Sequence, residues 1–370
     1  MGLKKKISNF LKPDYKTLNC GFMINPYSFG GGAAVGGWKE IGRTTLGSAN
    51  SNVTVSGLSD KRYYMMLYNM LGRNAVDTDA AIRVGNGSIS GSNFSMRTSR
   101  NGTADGTATS SAIYMADIPA DGSTPADFGV GYISNYATKE KLLIHNNIYQ
   151  RTAGAGNTPI RAESVGKWAN TTNPIDIIET YTGGSNTWNT GSEVVILGYD
   201  PADTHTTNFW EELDSVTLTV SGDNLTSNVF TAKKYLWIQA FTKNTGGATR
   251  ASLRVGNTTI DSGSNYAYRR NNNGAGEEVF PSVDRMGASS GAVADDEFWN
   301  VFIINNSGNE KLSISHDVRR STAGAGNTPS RDETTGKWTN TSSQINKVEF
   351  FNDQAGSFDV GSIIKVWGSN

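Results

Sequence analysis

Cysteine is nearly missing from this chain. Cys20 is the only one, which excludes an intrachain disulfide and any multi-cysteine metal site. Histidine is scarce as well: His145, His205 and His316 are the full set. No Ser/His/Asp or Cys/His arrangement can be assembled around them from sequence. Charge is thin, since Asp, Glu, Lys and Arg make up 18% of residues and nearly cancel, to a formal net charge of −1. Globular intracellular enzymes usually carry more, and a nucleic-acid partner would require a basic face. No apolar run is long enough for a membrane-spanning helix. Lys4-Lys5-Lys6 has no apolar stretch of signal-peptide length behind it, so synthesis and first folding in the cytoplasm are expected.

Glycine, by contrast, is plentiful at 42 residues, with Asn, Ser and Thr abundant beside it. A neutral, Gly/Asn/Thr-rich surface suits a protein that lives outside a cell, in a large assembly, or both. The chain also repeats itself. TAGAGNTP occurs at Thr152–Pro159 and again at Thr322–Pro329, and GKW at Gly166–Trp168 and Gly336–Trp338. Each copy then runs to a terminal apolar strand, GSEVVILG from Gly191 and GSIIKVWG from Gly361. Two copies of one module therefore account for most of the 370 residues, one over 46–200 and one over 213–370. A feature present in both copies belongs to the shared fold before it belongs to a site.

Within each module, short segments alternate with period two. Ser215–Ser221 and Tyr235–Phe241 alternate, and Glu297–Asn305 is apolar on both sides, as a central strand would be. Module one has counterparts at Asn52–Ser56, Tyr63–Leu71, Ala81–Val84, Val130–Tyr136, Lys141–His145, Ile175–Tyr181 and Glu193–Leu197. Turn signals such as Asn86-Gly87, Asn101-Gly102 and Asn273-Gly274 separate such segments. The pattern predicts an all-β chain of two tandem, jelly-roll-like β-sandwiches with seven to nine strands each. Residues 1–45 are expected to be an extended arm. Its Phe22–Trp38 stretch carries Phe22, Tyr27, Phe29 and Trp38 among glycines and needs a surface to lie on. The linker, 201–212, is expected to turn at Asp200-Pro201-Ala202-Asp203 and to form a capped helical turn at Phe209-Trp210, whose rings pin the modules together.

Candidate sites are few. TAGAGNTP resembles a phosphate cradle in its glycines, yet it lacks GK[ST] and a following helix, which leaves a demanding inter-strand loop. Trp168 and Trp338 are read as core plugs at the entry of a strand rather than as sugar-stacking faces. His145 and His316 sit near equivalent positions but with spacing that differs by one, so their side chains need not point the same way. Acid pairs at Asp77/Asp79, Asp200/Asp203, Glu277-Glu278 and Asp295-Asp296-Glu297 offer loop oxygens of the type that hold Ca²⁺, though none has an EF-hand pattern. No cofactor is expected. Tyr266, Tyr268, Arg269 and Arg270, in a stretch specific to module two, are the residue types of an exposed contact surface.

GKWANTT, the apolar strand after it, and GSEVVILGYDPADTHTTNFWEEL together resemble structural proteins of marine tailed phages and related archaeal viruses. There a jelly-roll module ending in a similar strand is followed by a duplicate. The resemblance covers residues 46–370 and implies a capsid, decoration, fibre or tail-associated role in the virion. It implies partners among other virion proteins and self-association as a trimer or lattice, and it supplies no catalytic residues. A carbohydrate-binding surface or adhesion protein, contacting host glycans through exposed aromatics, is the alternative. A polysaccharide-degrading enzyme would further need paired acids across a cleft. Neither nucleic acid nor membrane is an expected partner.

Overall fold

The computed structural model describes residues 37–72, 80–116, 126–183, 186–204, 207–244, 246–292, 294–321 and 323–370, without the side chain of residue 114. Among them there is no helix, and every regular element is a strand. No helix is therefore long and apolar enough to cross a membrane, which leaves a β-barrel unaddressed.

Each half folds as a sandwich of an eight-stranded and a five-stranded antiparallel sheet. In the first half the large sheet runs Lys39–Thr45, Glu193–Tyr199, Tyr63–Met70, Asp127–Ser134, Lys141–Tyr149, Ile160–Trp168, Phe94–Arg100, Gly106–Ser110. The second half repeats that order with Glu211–Thr217, Ile363–Ser369, Tyr235–Thr242, Glu297–Ile304, Lys311–Arg319, Ser330–Trp338, Tyr266–Asn272, Glu277–Val283. The small sheets match as well, centred on Ile177–Thr182 with Ala80–Asn86 and on Lys347–Asn352 with Ala251–Asn257. Alternation explains which face is which. Along Tyr63–Met70, Tyr64, Met66, Tyr68 and Met70 enter the first sandwich core, while Met65 and Leu67 enter a different cluster on the outer face.

That outer cluster unites the halves. Met65, Leu67, Phe128, Val130, Ile148 and Val195 of module one pack with Tyr235, Trp237, Phe302, Leu312, Ile314 and Trp367 of module two. The large sheets thus stack back to back, giving four layers with three apolar cores. A face buried on both sides explains the near-continuous apolar runs of the central strands.

Several expectations are corrected. Each module has more strands than expected. Besides two-residue strands such as Ser88–Ile89, the longer Phe94–Arg100 and Ile160–Trp168 were not among those expected, because FSMRTSR and IRAESVGKW alternate polar with small or charged residues more than with apolar ones. Lys39–Thr45 is not arm but the edge strand of module one's large sheet, paired with Glu193–Tyr199. Its counterpart Glu211–Thr217 places the end of the expected linker, and the start of module two, inside a strand. The helical turn at Phe209-Trp210 does not form. Phe209 donates its backbone N–H to the Trp38 carbonyl, and both rings are buried in the joint between modules. Phe22, Tyr27 and Phe29 lie outside the described residues.

Candidate functional site

The joint between the modules is where the chain concentrates buried chemistry. At its aromatic centre Trp210 meets Trp237 edge-on, with centroids 5.6 Å apart, and Trp237 stacks on Phe302 at 5.6 Å. At one edge sits Glu193. It accepts from Arg43 Nη1 at 3.0 Å, Lys234 Nζ at 2.9 Å, Tyr235 Oη at 2.8 Å and Thr45 Oγ1 at 2.5 Å. Burial disfavours its charge, but the hydrogen bonds from Thr45, Lys234 and Tyr235 and the ammonium's charge hold the carboxyl below its usual range. Burial, and then the neighbouring Glu193 charge, push the Tyr235 hydroxyl well above its usual value.

At the opposite edge the first TAGAGNTP loop clamps module two. Glu310 accepts from the Gly154 backbone N–H at 2.6 Å and from Gln150 Nε2 at 2.8 Å. Lys337 donates to the Thr152 carbonyl at 2.8 Å and pairs with Glu310 at 3.2 Å. Arg269 donates to the Pro159 carbonyl at 2.8 Å, and the Ser282 N–H to the Ala155 carbonyl at 2.8 Å. Nearby, Arg161 reaches Glu277 at 2.7 Å and Glu333 at 2.9 Å. Desolvation lowers the Lys337 ammonium, with Glu310 opposing, and raises the Glu277 carboxyl despite Arg161. Gly102 is needed here for two reasons. Its φ is +66°, and a Cβ would come within 2.8 Å of Asn271 and 3.0 Å of Glu277.

The expected contact surface is corrected. Tyr266, Tyr268, Arg269 and Arg270 are all buried, because their strand is the seventh of eight and both its faces are covered. The Tyr266 hydroxyl lies 2.7 Å from both the Val255 and the Asp261 carbonyls inside the sandwich and has one proton to share between them. Arg270 donates to the Ala288 and Ser289 carbonyls and pairs with Glu278. Only Arg269, on the opposite face, makes a contact between modules. Period-two alternation in YAYRRNN was the signal that separated these faces.

Trp168 and Trp338 are buried, each with a lysine ammonium above the ring, Lys141 at 5.5 Å and Lys311 at 5.7 Å. Each closes its strand rather than opening it. His145 lies inside module one, between Tyr68 Oη at 2.9 Å and Ser164 Oγ at 3.1 Å. Burial pushes its imidazole down to about 3, so it is neutral and sealed from solvent. His316, one position out of register with it, faces the joint instead, lining a small enclosed space with Arg161 and Glu333.

Of the loop acids, Asp203 pairs with Lys61, and Arg320 with Asp296 at 3.2 Å. Glu297 is buried, accepting from Ser289 Oγ and Trp299 Nε1, each at 3.1 Å. Asp77, Asp79 and His205 lie outside the described residues. Among the described residues, no group of three or more His, Cys, Asp or Glu is arranged to hold a metal ion. Two open grooves lie among the described residues. One, about 450 Å³, is lined by Asn257, Asp261, Asn340, Ser343 and the edge of Trp338. The other, about 420 Å³, lies where the modules meet, beside Gln150 and Glu310.

No protein-family model matches the chain, and no curated protein matches it. Among solved structures, domains LG4-5 of the mouse laminin alpha1 chain are similar at 10% identity over 93% of each chain, with a TM-score of 0.19. A likeness this low carries no inference about function.

Proposed function

We propose that this chain is a virion structural protein, of a tailed phage or a related virus, that builds the particle by self-association. The observation that supports it best is the adhesive outer face of the large sheets. Two such faces already hold the modules together, while module one keeps Leu142, Ile144 and Val165 of the same face in solvent, at 55%, 57% and 47% exposure. A contiguous apolar patch of this kind marks an interaction surface. On this reading the chain has no catalytic role. The fully sealed histidine and the acids tied to arginine fit a rigid building block. The test is sedimentation of the purified chain over a range of concentrations, with antibody labelling of assembled particles. Higher-order species and labelled particles are expected; a monomer throughout, absent from particles, refutes the reading.

A second reading, a glycan-binding surface protein, draws on the polar groove beside Trp338, whose Nε1 donates to Asp261 at 2.8 Å. The indole face there is buried, so such a site would act by hydrogen bonds without ring stacking. Glycan-array binding abolished by Asp261→Ala would favour it.

A further inference from the structure

The joint between the modules is heterologous. Module one contributes the Arg161 end of its outer face, and module two contributes the Lys337 end of its own. Because the modules are copies, each keeps one unused end. These two leftovers are copies of the two surfaces that already bind each other within the chain.

The polar parts recur. In module two, Glu310 and Lys337 receive the loop and are buried, with side chains 5% and 0% exposed. Their copies in module one, Glu140 and Lys167, pair at 2.8 Å in the open, 40% and 43% exposed. The loop they would receive, TAGAGNTP, is present unaltered at Thr322–Pro329, and its described residues, 323–329, are all exposed. Arg161, bound between modules, has its copy in Arg331, which is 61% exposed, and Glu333 has its copy in Glu163. The apolar parts recur on the receiving side. Leu312 and Ile314 are buried in the joint, and their copies are the exposed Leu142 and Ile144.

We infer that the free face of module one receives the free end of module two from a second copy of this chain, repeating the internal joint from chain to chain. This rests on the self-association proposed above and names its surfaces. The contact is head to tail, so it propagates into a filament or closes into a ring according to the rotation per step. It is weaker than the internal joint. On module two's side, Val130 and Val195 are replaced by Asn300 and Lys365, and no covalent link raises the effective concentration. Lys365 also has its ammonium engaged within its own chain, with Glu212 at 3.3 Å, so it brings no apolar contact of the kind Val195 makes.

Two variants of the full chain test this. Ile144→Glu spoils the receiving face, and Val318→Glu, at the copy of the joint residue Ile148, with Arg331→Glu spoils the inserting end; all three positions are exposed. In sedimentation the wild type is expected to associate, and each variant alone to run at the 39.7 kDa of one chain. Mixed, the two variants are expected to form a capped heterodimer, because each retains the surface its partner lacks. That rescue also shows that both are folded. Oligomers unchanged in both variants would overturn this joint while leaving self-association standing. Two monomeric variants that stay apart on mixing would overturn it as well, as would a wild type that never associates, which sinks both readings. A cross-link within one chain between Cys20 and Ile144→Cys would assign the face to residues 1–36 and overturn the inference.

Discussion

The ring of Tyr68 fills the space in front of Gly129: a Cβ on that glycine would lie 2.1 Å from Tyr68 Cζ. The two are cross-strand partners, and their copies in module two are Ala240 and Trp299, also partners. The bulk has moved from one strand to the other while the space between the sheets stays filled. Trp299 is fully buried and packs edge-on against Phe350 at 5.4 Å. Duplicated cores thus preserve total volume rather than residue identity, as close packing requires.

This relationship predicts a coupled pair. Tyr68→Ala should cost about 3–5 kcal/mol through the cavity it leaves, and Gly129→Trp alone should fail by collision. Combined, they reproduce module two's arrangement, and a double-mutant cycle should show a coupling of about 0.5–3 kcal/mol in the rescuing direction. Recovery stays partial because His145 loses its partner Tyr68 Oη. Additive losses in denaturant titrations would contradict the idea.

Trp168→Ala and Trp338→Ala should each cost about 3–5 kcal/mol. Both rings close the sandwich under a lysine ammonium. Chemical unfolding followed by the remaining tryptophans checks this, and a loss under about 1 kcal/mol in either would show that the ring is not a core plug.

The repeat announced these tryptophans, and alternation located most central strands. The edge strand Lys39–Thr45 escaped because KEIGRTT has little apolar alternation. Its signal was Trp38, which precedes it as Trp210 precedes Glu211–Thr217. The joint was illegible for a deeper reason. Two identical TAGAGNTP loops have identical local chemistry, and only the tertiary arrangement decides that one is clamped by Glu310 and the other is not. Arg269 and Arg270 were expected in an exposed surface because Tyr and Arg are residue types of contact surfaces, yet arginine is also buried where it finds partners. Here carbonyls and carboxylates supply those partners.

Glu310→Ala should loosen the joint selectively. It leaves the Lys337 ammonium buried with only the Thr152 carbonyl beside it, and removing one member of a buried pair costs about 3–5 kcal/mol. Because Trp210, Trp237 and Trp367 line the joint, their emission should shift to the red before either sandwich unfolds. Glu310→Ala with Lys337→Met removes the stranded charge and should recover much of the loss. An unshifted emission and unchanged stability would show that the clamp contributes nothing.

The last prediction concerns pH. Glu297 is 1% exposed, and burial raises its carboxyl to about 7, with the Trp299 and Ser289 hydrogen bonds and Arg319 only partly offsetting this. Asp317 and Asp332, across the ladder from each other, face the same interior, and burial and Asp332 push Asp317 well above its usual value too. A folded value above the unfolded one means that the native state binds the proton more tightly. The stabilisation is therefore fully present below about pH 4.5 and is lost as pH rises through about 7. Two to three units correspond to on the order of 3 kcal/mol. Glu297→Gln keeps an oxygen acceptor for the indole and never ionises. Relative to wild type it should be near neutral at pH 4 and stabilising at pH 8, read as a difference in denaturation midpoint that grows across that interval. A difference independent of pH would mean that Glu297 is already ionised in the folded protein throughout, with Arg319 rather than burial governing it.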